Sequence, residues 1–152
     1  MDALKLLKHD HDTVKAILKT LDDTTERATK TRNSLFDKLK RELTIHETIE
    51  EEILYPAFQE QAKLKDIVLE GYQEHHVVDL VMAELAELST DDETWGAKLS
   101  VVKENVEHHI EEEEGEMFKT ARTVLSRNQL QELGTLMQAM KDEALASEPL
   151  SA

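Results

Sequence analysis

His46-Glu47-Thr48-Ile49-Glu50 and His109-Ile110-Glu111-Glu112-Glu113 are one spacing, His-x-x-x-Glu, written twice, and the reading of these two stretches decides the fold. Each is followed at the same offset by an apolar-aromatic step, Leu54-Tyr55 after the first and Met117-Phe118 after the second. Each is also preceded by a lone histidine: His11 lies 35 residues before His46, and His75 lies 34 residues before His109, so the two copies repeat at about 64 residues. A His and a Glu four residues apart share one face of an α-helix, rising about 6 Å along it. Two such pairs and two lone histidines therefore ask for four helices.

The phase of the apolar pattern says which way those faces point. Helix one carries Leu4, Leu7, His11, Val14, Leu18 and Leu21 at alternating steps of three and four, with His11 in line. Helix two reads Leu39, Leu43, His46, Glu50, Ile53; helix three reads Val68, Gly71, His75, Val78, Met82, Leu85; helix four reads Val102, Val106, His109, Glu113. Six ionisable residues thus occupy positions that the rest of each helix reserves for core. A buried carboxylate without a partner costs several kcal/mol, comparable to the whole stability of a domain, and cations between two of them resolve the conflict. His9, His76 and His108 fall off the seam and are expected to be solvated, since neighbours on a helix differ by about 100°. One His-x-x-x-Glu on an acidic helix is ordinarily an exposed ion pair. The conjunction of two pairs, two lone histidines and matched phase is what points to a site. The run Glu111 to Glu114 reads as mostly a solvated acidic face, with only Glu113 on the seam.

Composition agrees with an all-α fold. The chain has 152 residues, 4 Gly and 2 Pro, 34% charged residues and 4% aromatic, which favours helix over sheet and leaves few loops. The expected architecture is one domain over 1–152: an up-down-up-down four-helix bundle over about 2–120, with an appended fifth helix over about 127–146. Asp2 caps helix one, which runs to about Leu21; a polar link continues to Asn33. Helix two starts between Thr31 and Ser34 and reaches about Gln61, with a kink or break expected after Tyr55 because Pro56 removes a backbone donor. Helix three runs from about Leu64 to Leu88 and helix four from the Ser89–Asp92 turn to about Thr120, with Gly115 as its weak point. Residues 148–152 are expected to fray.

A formal net charge of -15 argues against nucleic acid and against an anionic membrane surface as partners. No apolar run approaches a transmembrane length, and the N-terminus opens into amphipathic helix without a signal-peptide pattern. With no cysteine there is neither a disulfide framework nor a thiolate site. A cytoplasmic location is the expectation.

Imidazole and carboxylate without thiolate suit iron or manganese and tolerate zinc. The simplest count is two metals, each with two histidines, and Glu50 and Glu113 bridging. An oxo or hydroxo bridge and one open position per metal complete octahedral geometry, and open positions on a redox metal mean a small ligand.

His11 within Asp10-His11-Asp12-Thr13-Val14, the His46-to-Glu50 motif ending in Leu54-Tyr55-Pro56, Glu74-His75, and His109-to-Glu113 together resemble the hemerythrin-like HHE cation-binding domain, over about residues 3–145. That resemblance implies a four-helix bundle with a non-haem di-iron centre. It implies His11, His46, Glu50, His75, His109 and Glu113 as ligands, and an oxygen, nitric oxide or peroxide ligand engaged for sensing, stress response or redox. Oxygen-carrying hemerythrins have a further histidine four residues after the one matching His75. Here that residue is Asp79, which stands either as an extra ligand or hydrogen-bond acceptor, or as a solvated residue. Glu47 sits where some relatives use a carboxylate, although its phase is poor.

Gly71 takes the seam position that Leu7 holds in the first copy, and the missing side chain would admit a small ligand or simply relieve packing near Tyr72. Tyr55 and Tyr72 are either donors beside the site or ordinary packing. A metal-binding redox protein is favoured over a dedicated enzyme, because no general acid other than the ligands is evident. The alternatives are iron handling or iron donation in cluster repair, a weak peroxidase or nitric-oxide-reducing activity, and a metal-free helical module.

Overall fold

The computed structural model describes residues 1–147, which form helices and no strand. Asp2 caps α1 (Ala3–Asp22), its side chain accepting from the Lys5 N–H at 2.9 Å. After a short link, α2 (Thr29–Ile49) runs into a π-helical turn (Glu50–Leu54) and continues as α3 (Tyr55–Gln59). Then come α4 (Lys65–Glu87) and α5 (Trp95–Glu112), a second π turn (Glu113–Met117), α6 (Phe118–Val124) and α7 (Arg127–Ser147). These make four long rods and a fifth helix, the expected all-α bundle. Residues 148–152, expected to fray, lie outside the described part.

Helix α2 starts at Thr29, earlier than the polar composition suggested, because Arg32 is not in a solvated link. It is buried, donates to the Thr90 carbonyl at 2.6 Å and the Thr24 hydroxyl at 2.9 Å, and lies 4.5 Å over the Trp95 ring. One side chain thus ties the two loops at this end of the bundle together.

The long rods depart from α geometry at two equivalent places. The expected break after Tyr55 comes one turn earlier, as a π turn that begins at Glu50 and returns the Tyr55 N–H to the Glu50 carbonyl. The second π turn begins at Glu113 and returns the Phe118 N–H to the Glu113 carbonyl. Pro56 lies only after the first and Gly115 only within the second, so the feature common to both is the seam glutamate. Each π turn inserts one residue and rotates the remainder of its rod. The seam therefore passes to Leu54, Tyr55 and Phe58, and to Met117, Phe118 and Ala121, all buried, while Ile53, expected on the seam, is only half-buried.

Helix α7 begins with a capping box: Ser126 Oγ accepts from the Gln129 N–H, and Gln129 Oε1 accepts from the Ser126 N–H. It lies along the α1 and α2 side of the bundle. At Gly134 it crosses the start of α1 so closely that an added Cβ would collide with the backbone of Met1, Asp2 and Ala3. The apolar interior is in two parts. One cluster includes Leu4, Leu7, Tyr55, Phe58, Phe118 and Met137, and the other Leu18, Leu39, Met82, Leu85, Trp95 and Val102. Between them lies a polar layer.

Candidate metal centre

That layer consists of His11, His46, Glu50, His75, His109 and Glu113, all buried, with Glu50 fully enclosed. All six sequence-predicted residues are brought together. Each imidazole turns Nε2 inward to a central carboxylate. His11 Nε2 lies 3.1 Å from Glu113 Oε1, and His109 Nε2 lies 3.1 Å from Glu113 Oε2. His46 Nε2 lies 3.1 Å and His75 Nε2 3.0 Å from Glu50 Oε1. Two compact ligand groups result: His11, His46 and Glu113, and His75, His109 and Glu50, each with three donor atoms within 4.8 Å of one another. Each group takes both histidines from one copy and the glutamate from the other. Each glutamate also touches a histidine of the opposite group.

Each imidazole turns Nδ1 outward to a further carboxylate. His11 meets Glu114 at 2.7 Å, His46 meets Asp10 at 3.3 Å, His75 meets Glu51 at 2.7 Å, and His109 meets Glu74 at 2.6 Å. An acceptor there makes Nδ1 the protonated nitrogen and leaves the Nε2 lone pair for a cation. These four acids were not singled out in the sequence. Their signal is the repeat itself: an acid directly before each lone histidine, and one directly after each seam glutamate. Glu114 corrects the reading of Glu111 to Glu114 as solvated apart from Glu113, since a residue one step past the seam is turned inward by the π turn.

Electrostatics indicate what the layer lacks. Burial favours neutral His46, but the Glu50 charge and the bond to Asp10 outweigh it and raise the imidazole to about 10. His109 is likewise raised against the pull of burial by Glu113, and His75 by Glu50. Glu50 is held well below the usual carboxylate range, burial being outweighed by His46, Glu113 and His109. The layer thus holds protons where cations would serve. Even so, Glu50 Oε2 is buried without a hydrogen-bond partner, and His46 Nε2 and His109 Nε2, although 3.1 Å from Glu50 and Glu113, meet them without hydrogen-bond geometry. Unpaired acceptors and donors in a buried layer are costly, and imidazole with carboxylate is a donor set for a first-row transition metal. The residues fit such an ion.

Tyr55 is fully buried and donates to Glu113 Oε2 at 2.6 Å. Burial, then the Glu50 and Glu113 charges, raise its hydroxyl well above the usual range, so it keeps its proton. This overturns the idea of Gly71 as an opening for a ligand: the space is filled, and a Cβ at Gly71 would sit 2.6 Å from the Tyr55 hydroxyl. Gly71 exists so that Tyr55 can reach Glu113. Tyr55 stacks on His75 at 5.5 Å, as its repeat counterpart Phe118 stacks on His11 at 6.2 Å. Tyr72 packs edge-on against Tyr55.

Glu47 is buried despite its poor phase, within 4.8 Å of Glu51 and His75. Burial and Asp79 push its carboxyl up to about 10. Asp79 itself is exposed, in a cleft with Glu47 and Glu51, and belongs to neither compact group. His9, His76 and His108 are exposed, as expected from their phase.

A helical bundle whose apolar core is interrupted by four imidazoles and two carboxylates is a cation-binding bundle. The sequence profile of the hemerythrin HHE cation binding domain matches residues 2–121, and this chain belongs to that family. A solved structure with the same fold is the hemerythrin HHE cation binding domain-containing protein, an Rv2633c homologue, from Mycobacterium kansasii. It is 27% identical, with a TM-score of 0.83, covering 97% of this chain and 89% of that one. No curated protein matches this chain in sequence. Among the described residues no helix is long and apolar enough to cross a membrane.

Proposed function

We propose that this is a non-haem dinuclear iron protein that engages a small ligand, namely oxygen, nitric oxide or peroxide. His11, His46 and Glu113 would hold one iron, and His75, His109 and Glu50 the other, with both glutamates bridging. Bound iron would supply redox change and open coordination positions. The observation that carries the reading is a cavity of about 20 Å³ against all four imidazoles, lined also by Val14, Leu43, Val78, Val106 and Ile110, with Glu47 and Glu74 at its edge. That is room for about one water-sized molecule, and its apolar wall favours a small, weakly polar guest over a charged metabolite.

Metal analysis and an optical spectrum of protein from iron-replete cells test the metal. Two irons per chain with near-ultraviolet oxo-to-iron bands are expected; under half a metal per chain, unchanged by anaerobic iron loading, refutes it. Val78→Phe tests the guest: filling the cavity should slow nitric oxide or azide binding at least tenfold with iron content unchanged, and an unaltered rate removes the cavity from the account.

Tyr55 favours a second reading, peroxide turnover, by supplying a hydrogen-bond donor that is not a ligand. Its hydroxyl holds a proton on Glu113, within the layer and away from bulk water. Tyr55→Phe should then lower peroxide consumption while leaving azide binding in place; equal loss of both, or of neither, counts against this activity.

A further inference from the structure

The centre is symmetric in the six residues facing inward and asymmetric in what stands behind them. Both acids behind the His11, His46, Glu113 group are met by lysines. Lys141 Nζ lies 2.5 Å from Asp10 Oδ1, and Lys8 Nζ lies 3.6 Å from Glu114 Oε1. Behind the other group, Glu51 and Glu74 have no lysine or arginine in ion-pair contact among the described residues. Asp10 is also the most enclosed of the four acids: its side chain is 5% exposed, against 23% for Glu74 and 38% for Glu51. The lysine on it, Lys141, comes from α7, a helix beyond the residues that match the family.

One Asp10 oxygen faces His46 Nδ1 and the other faces Lys141. A buried carboxylate with one oxygen committed to an imidazole needs a partner for the second, and without it the carboxylate turns toward water. The contact to His46, at 3.3 Å, is the longest of the four outer contacts, so the set of that ring depends on where Asp10 is held.

We propose that Lys141 is a positioning residue of the metal centre. From the C-terminal helix it anchors Asp10, Asp10 sets the tautomer and plane of His46, and α7 thereby governs how tightly the cation at His11, His46 and Glu113 is held. This rests on the dinuclear reading. It makes the two cation positions unequal: one is locked from outside the four-helix core, and the other is supported only from within it.

Cobalt(II) titration of the metal-free protein, read by visible ligand-field absorption, counts and ranks the cations. The wild-type chain is expected to take two. Lys141→Met keeps one at wild-type affinity and weakens the other about 10- to 100-fold, the effect of losing the partner behind a ligand histidine. Lys141→Arg restores it. Asp10→Asn has the same effect as Lys141→Met, and the double variant is no worse than either. If Lys141→Met does not fold, Lys141→Gln, which stays polar and loses the charge, takes its place. Unchanged affinity for both cations, equal weakening of both, or additive effects of the Lys141 and Asp10 changes would overturn the proposal while leaving the dinuclear reading intact. A wild-type chain that takes up no pair of cations overturns the dinuclear reading itself.

Discussion

Helices α1 and α4 carry the lone histidines of the two copies, yet they are supported differently. Helix α1 is buried on two faces: besides Leu7, His11 and Val14 on the seam, it encloses Ala3, Leu6, Asp10 and Ile17. The matching positions of α4, Ile67, Glu70, Glu74 and Val81, are half-buried or exposed. Helix α7 lies on α1 at its Ala3, Leu6 and Asp10 end and, among the described residues, has no counterpart over α4, while Ile17 packs in the second cluster. A second difference runs the other way. Where α1 has Leu7 at the seam, α4 has Gly71, and the room goes to the Tyr55 hydroxyl. A duplicated ligand pattern has therefore been kept while its supports diverged. The His11, His46, Glu113 group is backed by an extra helix and lysines, and the His75, His109, Glu50 group by acids more open to solvent, while Tyr55 bonds Glu113 and stacks on His75.

The largest effect should come from removing what the halves share. Glu50→Ala with Glu113→Ala is expected to take the chain from two cations to none, measured as metal per chain after dialysis. Retention of a full pair would mean that the six residues are not the site. Each single variant should keep a weakened cation, and Glu50 should matter more, because its Oε1 faces His46 and His75 and lies 3.7 Å from His109 Nε2.

The Gly71 and Leu7 positions sharpen the contrast in packing. Gly71→Leu overpacks against Tyr55 and should destabilise by ~1–3 kcal/mol, in addition to the displaced hydrogen bond to Glu113. Leu7→Ala opens a cavity and should cost ~2–5 kcal/mol without touching that bond. Urea midpoints rank the two. Tyr55→Phe added to Gly71→Leu should recover part of the first loss and none of the second; no recovery would separate Gly71 from Tyr55.

A smaller effect is expected with pH in the metal-free chain. His46 is raised from 6.5 to about 10, so the stability its ion pairs contribute is fully present below pH 6.5 and is lost as pH rises through about 10. Metal-free protein should weaken between pH 7 and 10, while metal-loaded protein, with cations in place of those protons, should be flatter. Parallel urea midpoints for the two forms over that range would exclude His46 as the responsible group. The smallest effect belongs to the histidines off the seam: His9→Ala and His76→Ala are expected to stay within about 0.5 kcal/mol and leave metal content unchanged.

Much of this was legible in the sequence, for reasons visible in particular residues. His11, His46, His75 and His109 could be separated from His9, His76 and His108 by helical phase alone, because burial follows a period that polar residues obey as well as apolar ones. The bundle, the fifth helix and the cap at Asp2 come from the same periodicity. Helical phase fails as a guide where the helix changes geometry: the π turns at Glu50 and Glu113 moved the seam off Ile53 and brought Glu114 inward, which no strict count of three and four anticipates. It fails again where a residue is buried by something distant in sequence, as Asp10 is by α7 and Arg32 by Thr90 and Trp95.

The sequence by itself determined the six inward-facing residues and the four rods that carry them, since helical periodicity is a local property and the repeat states it twice. Tertiary structure alone decided which carboxylate stands behind each imidazole, that Gly71 makes way for Tyr55, and that the two halves are held unequally. Those outcomes depend on distances between residues far apart in the chain, and no spacing along a single helix encodes them.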